Sequence, residues 1–417
     1  MNRILRVGTA VGAVAITGAV LLTSAGRTVL AQARNNAPAY RVQPFFPQPL
    51  PNHWVFGSIT GVTVDANDHI WVTHRGAVSL EGNEKGMMAN PPTSSVCCVA
   101  APAVLEFDST GKLVSSFGEA GKEPQSWPQH PGSLTVDGKG NIWVAAQGLE
   151  PAPPPPPGAR GRGAAPGAAG RGGPAATPPP PDAHVLKYSK TGQLLLTIGA
   201  PGKMEGAESQ TSLNRPSAVA VDNAANEVFV ADSGNRRIVV FNADTGAYKR
   251  HWGAYGEKPG ADPGAYDPNA PAARQFRDVT CIDIAKDGNV YVCDRSSNRI
   301  QVFGKDGKFV KEGIISKNTG GAVVTGQFGV VSSKGSVWDL AFSNDAQQRY
   351  IFVADGHDKK IIVVDRNTLA EVGTIGDGGR QPGRFLAVGS IAVDSRGNIY
   401  TGEQHHGKRV QKFTPGR

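Results

Sequence analysis

The sequence has little cysteine and only a modest excess of charge, and it lacks the marks of a nucleic-acid-binding protein. Four cysteines occur in 417 residues, and the formal net charge is +8. Three of the positive charges, on Arg3, Arg6 and Arg27, lie in the first 33 residues, so residues 34–417 have a formal net charge of +5. No basic stripe with interleaved aromatic residues follows, so we expect no nucleic-acid partner.

Residues 1–33 have the composition of a secretory leader. A charged head is followed by the apolar, small-residue segment 7–25, and Ala31-Gln32-Ala33 fits the small-residue cleavage pattern. A twin arginine is missing, and no cysteine follows the cleavage point to carry a lipid anchor. We therefore expect a cleaved signal peptide, no membrane span after its removal, and a periplasmic or secreted protein. An uncleaved membrane anchor is the alternative.

Residues 275–310 are typical of a small antiparallel sheet. Three short apolar strands are predicted at 279–284, 290–293 and 300–303. The turn Lys286-Asp287-Gly288-Asn289 places a glycine where a positive φ is needed. Such a sheet cannot bury its apolar faces alone, so the unit should recur along the chain.

The unit recurs six times. Its second strand carries an aromatic between aliphatic residues: Ile70-Trp71-Val72, Ile142-Trp143-Val144, Val228-Phe229-Val230, Val290-Tyr291-Val292, Ile351-Phe352-Val353 and, more weakly, Ile399-Tyr400-Thr401. A third strand follows each copy, at 104–107, 185–188, 238–241, 300–303, 361–364 and 410–413. This repetition predicts an all-β fold, a six-bladed β-propeller of four-stranded antiparallel blades.

The best copies resemble NHL repeats. They are residues 215–222 running on to 231–238, and the segment 275–310. The resemblance covers nearly everything after about residue 53. It implies an NHL-type propeller at 53–417, preceded by a tail at 34–52. One propeller scaffold hosts many activities, so the repeat alone does not imply a function.

The last copy ends at Phe413 with three strands, whereas earlier copies have a fourth. An unpaired edge would expose backbone groups and invite aggregation. Residues 40–43 form a short alternating segment in the tail. We expect this segment to supply the fourth strand of blade six and to close the ring.

All long insertions are predicted to open on one face of the propeller. The turns between strands one and two, and between strands three and four, are short. The long segments fall in the opposite class of loops: 77–102, 148–183, 253–274 and 315–335. Binding loops concentrate on one rim of a rigid scaffold, which favours a functional face, although neutral drift of surface loops is the alternative. The Pro/Gly/Ala/Arg segment 151–182 has no hydrophobic periodicity and is interpreted as a spacer.

Polar residues near the ends of strands should ring one mouth of the central channel. The candidate binding residues are His74, Arg75, His130, Asp232, Asp294, Arg295, His357 and His405. Concave walls with a few polar groups are the usual form of a small-molecule or peptide site. The recurring Asp232, Asp294 and Asp355 have a structural alternative, which is to cap the backbone of their own loops.

Cysteine spacing predicts one disulfide. Cys281 and Cys293 are symmetric about Asp287 and should lie opposite each other across a hairpin, within disulfide range. Cys97 and Cys98 are adjacent within an insertion, and their state stays open. For all four, small buried unpaired side chains are the alternative.

Within the NHL group the chain resembles the peptidyl-hydroxyglycine amidating lyases. Thr73-His74-Arg75-Gly76 matches that family's first-blade His-Arg-Gly, and Asp294-Arg295 matches its later Asp-Arg motif. The resemblance implies that Arg75 and Arg295 contact substrate. It also implies zinc bound by three histidines that open strand one of three blades.

The zinc histidines of that family are missing here. Their positions correspond to Gly132, Thr280 and Gly389, and His130 stands two residues from the first of these. A tyrosine expected near Ser233-Gly234 is also absent. Without these ligands the family's metal chemistry should not run.

Two functions remain as hypotheses. The first is an exported, non-catalytic, monomeric propeller that binds a small molecule, peptide or protein partner on its insertion-rich face and needs no cofactor. The second is an amidating-lyase-like or hydrolytic enzyme with a rearranged metal site drawn from His74, His130, His357 and His405. Zinc or calcium is expected only in the second.

Overall fold

The computed structural model describes residues 37–119, 122, 124–148, 181–320, 324–326, 329–332 and 335–416. The predicted leader and nearly all of the Pro/Gly/Ala/Arg segment lie outside the described residues. In the part of the chain that is described, no helix is long and apolar enough to span a bilayer.

The fold is an all-β, six-bladed propeller, as predicted. Blades one to three consist of Ile59–Val64, Ile70–His74, Val104–Phe107 and Leu113–Phe117; Pro131–Val136, Ile142–Ala146, His184–Tyr188 and Leu194–Gly199; and Pro216–Asp222, Glu227–Asp232, Arg237–Asn242 and Tyr248–Trp252. Blades four to six consist of Val279–Ile284, Val290–Asp294, Arg299–Phe303 and Phe309–Ile314; Asp339–Phe342, Tyr350–Asp355, Lys360–Asp365 and Glu371–Ile375; and Val388–Val393, Ile399–Glu403, Val410–Pro415 and Tyr40–Gln43. The first strands of successive blades contact one another around the whole ring and form the channel wall.

The N-terminal strand closes the ring, which confirms the predicted pairing. Tyr40–Gln43 runs antiparallel to Val410–Pro415, with Tyr40 opposite Pro415 and Gln43 opposite Lys412. The ring of Tyr40 packs edge-on against Phe352 of blade five at 5.5 Å. The two ends of the chain therefore stabilise each other and a neighbouring blade.

The second-strand aromatic residues form the core between blades. Trp71, Trp143, Phe229, Tyr291, Phe352 and Tyr400 are all buried. Trp71 Nε1 donates to Asp65 Oδ2, and Trp143 Nε1 donates to Asp137 Oδ2, both at 3.0 Å. Each aspartate also accepts backbone N–H groups of the turn that it begins. One carboxylate thus fixes both the aromatic ring and the tight turn, which keeps the loops on this side short.

The insertions add small elements on the opposite side, which we call the insertion face. They are the 3-10 helix Gly76–Ser79, the helix Gly82–Lys85, the parallel pair Trp54–Val55 and Val99–Ala100, and the hairpin Val324–Gly326 and Gly329–Ser332. Further 3-10 helices lie at Ser233–Asn235, Ala254–Gly256 and Arg295–Ser297.

Both cysteine pairs form disulfides. Cys281 and Cys293 are opposite one another across the predicted hairpin, with Cα atoms 4.9 Å apart. The adjacent Cys97 and Cys98 are also joined. The second pairing was left open by the sequence.

Candidate functional site at the channel mouth

Irregular strand starts build the floor of a cavity on the channel axis. In five of the six blades, the register between strands one and two shifts near the start of strand one. A bulge re-aims a side chain and bends its strand. The residues at and beside these shifts line a cavity of about 420 Å³. They are Thr60, Ser133, Ser217, Thr280 and Gly389, with Asp339 at the start of strand one in blade five, and we call them the collar.

The residue that follows strand two also lines the cavity in four blades. These residues are Arg75, Gln147, Arg295 and Gln404. The blade-one insertion adds residues 78–81, and the blade-six loop adds His405 and His406. The cavity therefore lies at the mouth of the channel on the insertion face, between the collar and the longest described loops.

Arg295 is held in place from two sides. Its Nε and Nη2 donate to Asp278 Oδ2 at 2.8 and 2.5 Å. Its guanidinium carbon lies 5.1 Å from the centre of the Trp338 ring. Burial alone would raise the pKa of Asp278, but Arg295 and Arg215 lower that pKa below its ordinary value. Asp278 is therefore ionised at neutral pH and orients the arginine.

His405 lies within the electrostatic reach of both arginines. Burial, then Arg75 and Arg295, lower its pKa to about 4, so it is neutral at pH 7. Its ring packs edge-on against Trp338 at 6.2 Å, and its backbone N–H donates to Ser58 Oγ at 3.0 Å. The two guanidinium groups therefore converge on one cavity beside a neutral imidazole.

Asp339 places a carboxyl group at the base of this cavity. Its Oδ1 accepts from Leu340 N and its Oδ2 from Ile391 N, both at 2.9 Å. Burial, with a smaller contribution from the carboxylate of Asp283, raises its pKa to about 7. Asp283 lines a second cavity of about 360 Å³ at the other end of the channel. Near neutral pH, Asp339 is therefore partly protonated.

The structure brings Arg75, Arg295 and His405 to the cavity, and it places His74 behind them. His74 is buried, and its Nδ1 accepts from Gly57 N and Gly76 N at 3.0 Å each. Its Nε2 donates to Pro102 O at 2.8 Å, and burial lowers its pKa to about 4. His74 thus holds the backbone on both sides of Arg75.

Asp232 and Asp294 lie inside their blades. Asp232 Oδ2 pairs with Arg237 Nε at 2.8 Å, and Asp294 Oδ2 pairs with Arg299 Nε at 2.9 Å. All four side chains are buried. The guanidinium groups continue to backbone carbonyls of the preceding connection between blades, at Ala207, Ser209, Ser212, Ala273 and Gln275. These pairs link neighbouring blades, which is a structural role other than the predicted capping of their own loops. Asp355 does cap its own loop, since its Oδ1 accepts from the backbone N–H groups of His357 and Asp358.

His130 and His357 do not line the cavity. His130 lies close enough to Arg75 for that charge, after burial, to lower its pKa, and its backbone N–H donates to Asp182 Oδ2 at 2.8 Å. The backbone N–H of His357 donates to Asp355 Oδ1 at 3.1 Å in blade five. The four histidines of the rearranged metal site therefore do not meet at one point among the described residues.

The zinc positions implied by the lyase resemblance do not fit the metal. A Cβ added at Gly132 would lie 2.7 Å from Ser217 O, and one added at Gly389 would lie 2.6 Å from Gln404 Nε2. Thr280 Oγ1 donates to Val337 O at 3.1 Å. Two of the positions are closed to larger side chains, and the third offers a weak ligand that is already bonded.

The described residues contain one group with metal-ligand spacing, and it lies on the other side of the propeller. It comprises Asp65, His69 and Glu106. His69 Nδ1 is 2.6 Å from Glu106 Oε1, and Lys190 Nζ donates to the same oxygen at 2.7 Å. Asp65 Oδ2 accepts a hydrogen bond from Trp71 Nε1. Their polar atoms already serve the blade-one turn and strands.

Sequence reasoning missed the collar and Trp338. Thr60, Ser133, Ser217 and Asp339 lie at the start of strand one, next to or level with the three positions compared with zinc ligands. Superposing the six copies in register would have found them. Trp338 precedes blade five's first strand, after an insertion whose length hides the register.

The fold and the repeats together define the class of this protein. The NHL repeat family matches residues 213–241 and 276–303. With six blades around one channel, the chain is an NHL-repeat β-propeller that resembles the amidating-lyase branch of that group.

Two curated relatives carry that resemblance. Peptidylglycine alpha-amidating monooxygenase of Rattus norvegicus is 25% identical over 263 residues, covering 61% of this chain and 22% of the relative. Peptidyl-glycine alpha-amidating monooxygenase B of Xenopus laevis is 24% identical over 260 residues, covering 61% of this chain and 24% of the relative. The chain thus spans about a quarter of the length of these proteins.

Solved structures of similar shape include two lyases. A streptogramin B lyase structure has a TM-score of 0.46 and 11% identity, covering 90% of this chain and 98% of that one. Selenomethionine-substituted virginiamycin B lyase from Staphylococcus aureus has a TM-score of 0.45 and 12% identity, covering 90% and 99%.

Proposed function

We propose that this protein is an exported propeller that binds a ligand with an anionic group, on a small molecule, peptide or protein partner, without catalysis. The observation that carries the proposal is the presence of Arg75 and Arg295 on one cavity at the channel mouth. Planar guanidinium groups suit carboxylates and phosphates, because their N–H donors match two acceptor oxygens.

The local electrostatics support an anion more than a cation. Arg295 is pre-oriented by Asp278 and Trp338, so little side-chain entropy is lost when a ligand binds. Partial protonation of Asp339 reduces the negative charge that would compete with an anionic ligand, while the ionised Asp278 serves to orient Arg295. The carboxylate of Glu81 also lines the cavity, and its Oε1 lies 2.9 Å from His406 Nδ1.

Export is supported by the leader composition and by the cysteine chemistry. Both cysteine pairs are joined as disulfides, which persist in oxidising compartments. A periplasmic or secreted location follows as part of the proposal.

The proposal is tested by calorimetric titration of acetate and phosphate into the protein. Arg75→Ala and Arg295→Ala should each weaken binding by about tenfold, because each removes a charge-assisted hydrogen bond. Arg236→Ala is the matched control, since Arg236 pairs with Asp262 at 2.9 Å and does not line the cavity. Affinity unchanged in both cavity variants would overturn the proposed site.

An amidating-lyase-like or hydrolytic enzyme is the second candidate, favoured by the names of the two curated relatives. It requires a metal site other than Gly132, Thr280 and Gly389. Elemental analysis of metal-replete protein tests it. One tightly bound zinc per chain, lost on His130→Ala or His357→Ala, would establish the second candidate, and protein without stoichiometric zinc would reject its metal site.

A further inference from the structure

A mainly apolar groove lies beside the channel-mouth cavity. It lies between blades one and two on the insertion face and has a volume of about 300 Å³. Arg75 and Val78 line both the cavity and this groove. The two spaces therefore share a wall, and the guanidinium group of Arg75 lies at this junction.

The walls of the groove are mainly apolar, with His74, Arg75 and Gln129 as the polar side chains. The walls also include Ala77, Ala101, Trp127, Pro128 and Pro131, with Val78 at the open end. The ring of Trp127 is held against Tyr188 at 5.8 Å, so this wall is fixed. Of the described residues that line the groove, Arg75 is the one with a permanent charge. Val78 is 74% exposed although it is apolar.

Unpartnered hydroxyl groups face the same side of the cavity. Thr60 is 5% exposed, and no hydrogen-bond partner for its Oγ1 is found among the described residues. The same holds for Ser133 Oγ, on the neighbouring blade. Both line the cavity on blades one and two, the two blades between which the groove lies. Buried polar atoms are normally hydrogen-bonded, so two such atoms point to a polar ligand group there.

We propose that the ligand is an amphipathic carboxylate whose head lies at Arg75 and Arg295 and whose apolar tail lies in the groove between blades one and two. This inference rests on the proposed function and adds the chemical class of the ligand. The shared chemistry of a carboxylate with an attached apolar chain is found in alkanoates and in the C-terminal ends of apolar peptides. The positive charge of Arg75 at the junction suits the carboxylate of such a ligand, and the apolar walls of the groove suit its chain.

The experiment is a calorimetric series of linear carboxylates from acetate to decanoate. Each methylene that the groove removes from water should tighten binding by up to about fourfold. Decyltrimethylammonium, with the same tail and the opposite charge, should bind far more weakly than decanoate. The peptide Ala-Leu-Leu forms a second arm, and tighter binding than acetate by either probe supports the inference and identifies the source.

Two variants locate the tail. Val78→Ser and Trp127→Ala should both flatten the rise in affinity with chain length. Trp127 does not line the channel-mouth cavity, so Trp127→Ala should also leave acetate binding unchanged. Val114→Ser is the matched control, because Val114 is an exposed valine on the outer strand of the same blade. Val78 is too exposed for its replacement to threaten folding, so the test stands if Trp127→Ala does not fold.

The outcomes separate the two proposals. Acetate binding that depends on Arg75, with no gain from longer tails, keeps the anion site and overturns the groove. A gain with tail length that survives both groove variants also overturns the groove. Failure of every carboxylate to bind overturns the anion site and the inference together.

Discussion

Two arginines four residues apart in blade four have opposite surroundings. Arg299 is 1% exposed, and its guanidinium group donates to Asp294, to Tyr255 Oη and to the carbonyls of Ala273 and Gln275. Arg295 lies on the wall of the channel-mouth cavity, where it pairs with Asp278 and stacks on the indole ring of Trp338. The first arginine builds the blade, and the second faces the space where a ligand would bind.

The difference follows from how each position behaves across the six copies. The ion pair of Asp294 with Arg299 recurs as Asp232 with Arg237, which identifies it as scaffold. The position directly after strand two changes from blade to blade, and reads Arg75, Gln147, Ser233, Arg295, Gly356 and Gln404. In a repeat protein, residues that recur from copy to copy build the common fold. Residues that differ between copies at the same register give the channel mouth its particular set of side chains.

The largest expected effect is on the scaffold arginine. Arg299→Ala should cost about 3–5 kcal/mol in the free energy of unfolding, because it leaves the buried Asp294 without its partner. Urea denaturation measures this loss, with Arg236→Ala as a surface control. A loss below about 1 kcal/mol would show that the recurring pair does not hold the blades together.

Removal of the closing strand should have the next largest effect. Truncation to residue 45 deletes Tyr40–Gln43 and exposes the edge of Val410–Pro415. The Tm should fall by several degrees in calorimetry. Arg41→Gln is the control, since Arg41 is exposed within the same strand. An unchanged Tm would mean that blade six is stable with three strands.

The channel carboxylates make stability depend on pH. Burial raises the pKa of Asp283 from its ordinary 3.8 to about 7, so the folded state binds an extra proton between these values. Its contribution to stability is complete below about pH 4 and is lost as pH rises through about 7.

Asp283→Asn isolates this contribution. The stability of the variant relative to the parent protein should increase between pH 4 and pH 8, as measured by urea denaturation at each pH. Asp306→Asn, in an exposed turn, should show no such trend. A constant difference across the range would contradict the raised pKa.

The smallest expected effect on stability is that of the cavity arginine. Arg75→Ala should change the free energy of unfolding by less than about 1 kcal/mol, although it weakens anion binding by about tenfold. Thermal unfolding of the ligand-free variant measures the first quantity. A large destabilisation would show that Arg75, like Arg299, is a scaffold residue, and would contradict the distinction between scaffold and cavity arginines.

The sequence predicted the blades, the ring closure and Cys281–Cys293 because each depends on local patterns. Strand one of blade four, Val279–Ile284, and the closing strand Tyr40–Gln43 have the predicted bounds. The candidate site was only partly predictable. At the end of strand two, Asp294 turns into its own blade and the next residue, Arg295, turns toward the channel axis. The direction that each side chain takes depends on bulges and on partners distant in sequence. The collar of small hydroxyl residues has no motif of its own.

The central claim is that Arg75 and Arg295 hold an anionic group without a metal. A crystal structure of metal-stripped protein soaked with 4-bromobenzoate tests it most directly, because the bromine locates the ligand by anomalous scattering. We expect the carboxylate within hydrogen-bond distance of both guanidinium groups, with the bromine toward Trp127. A ligand bound only elsewhere, with the channel mouth empty, would contradict the account.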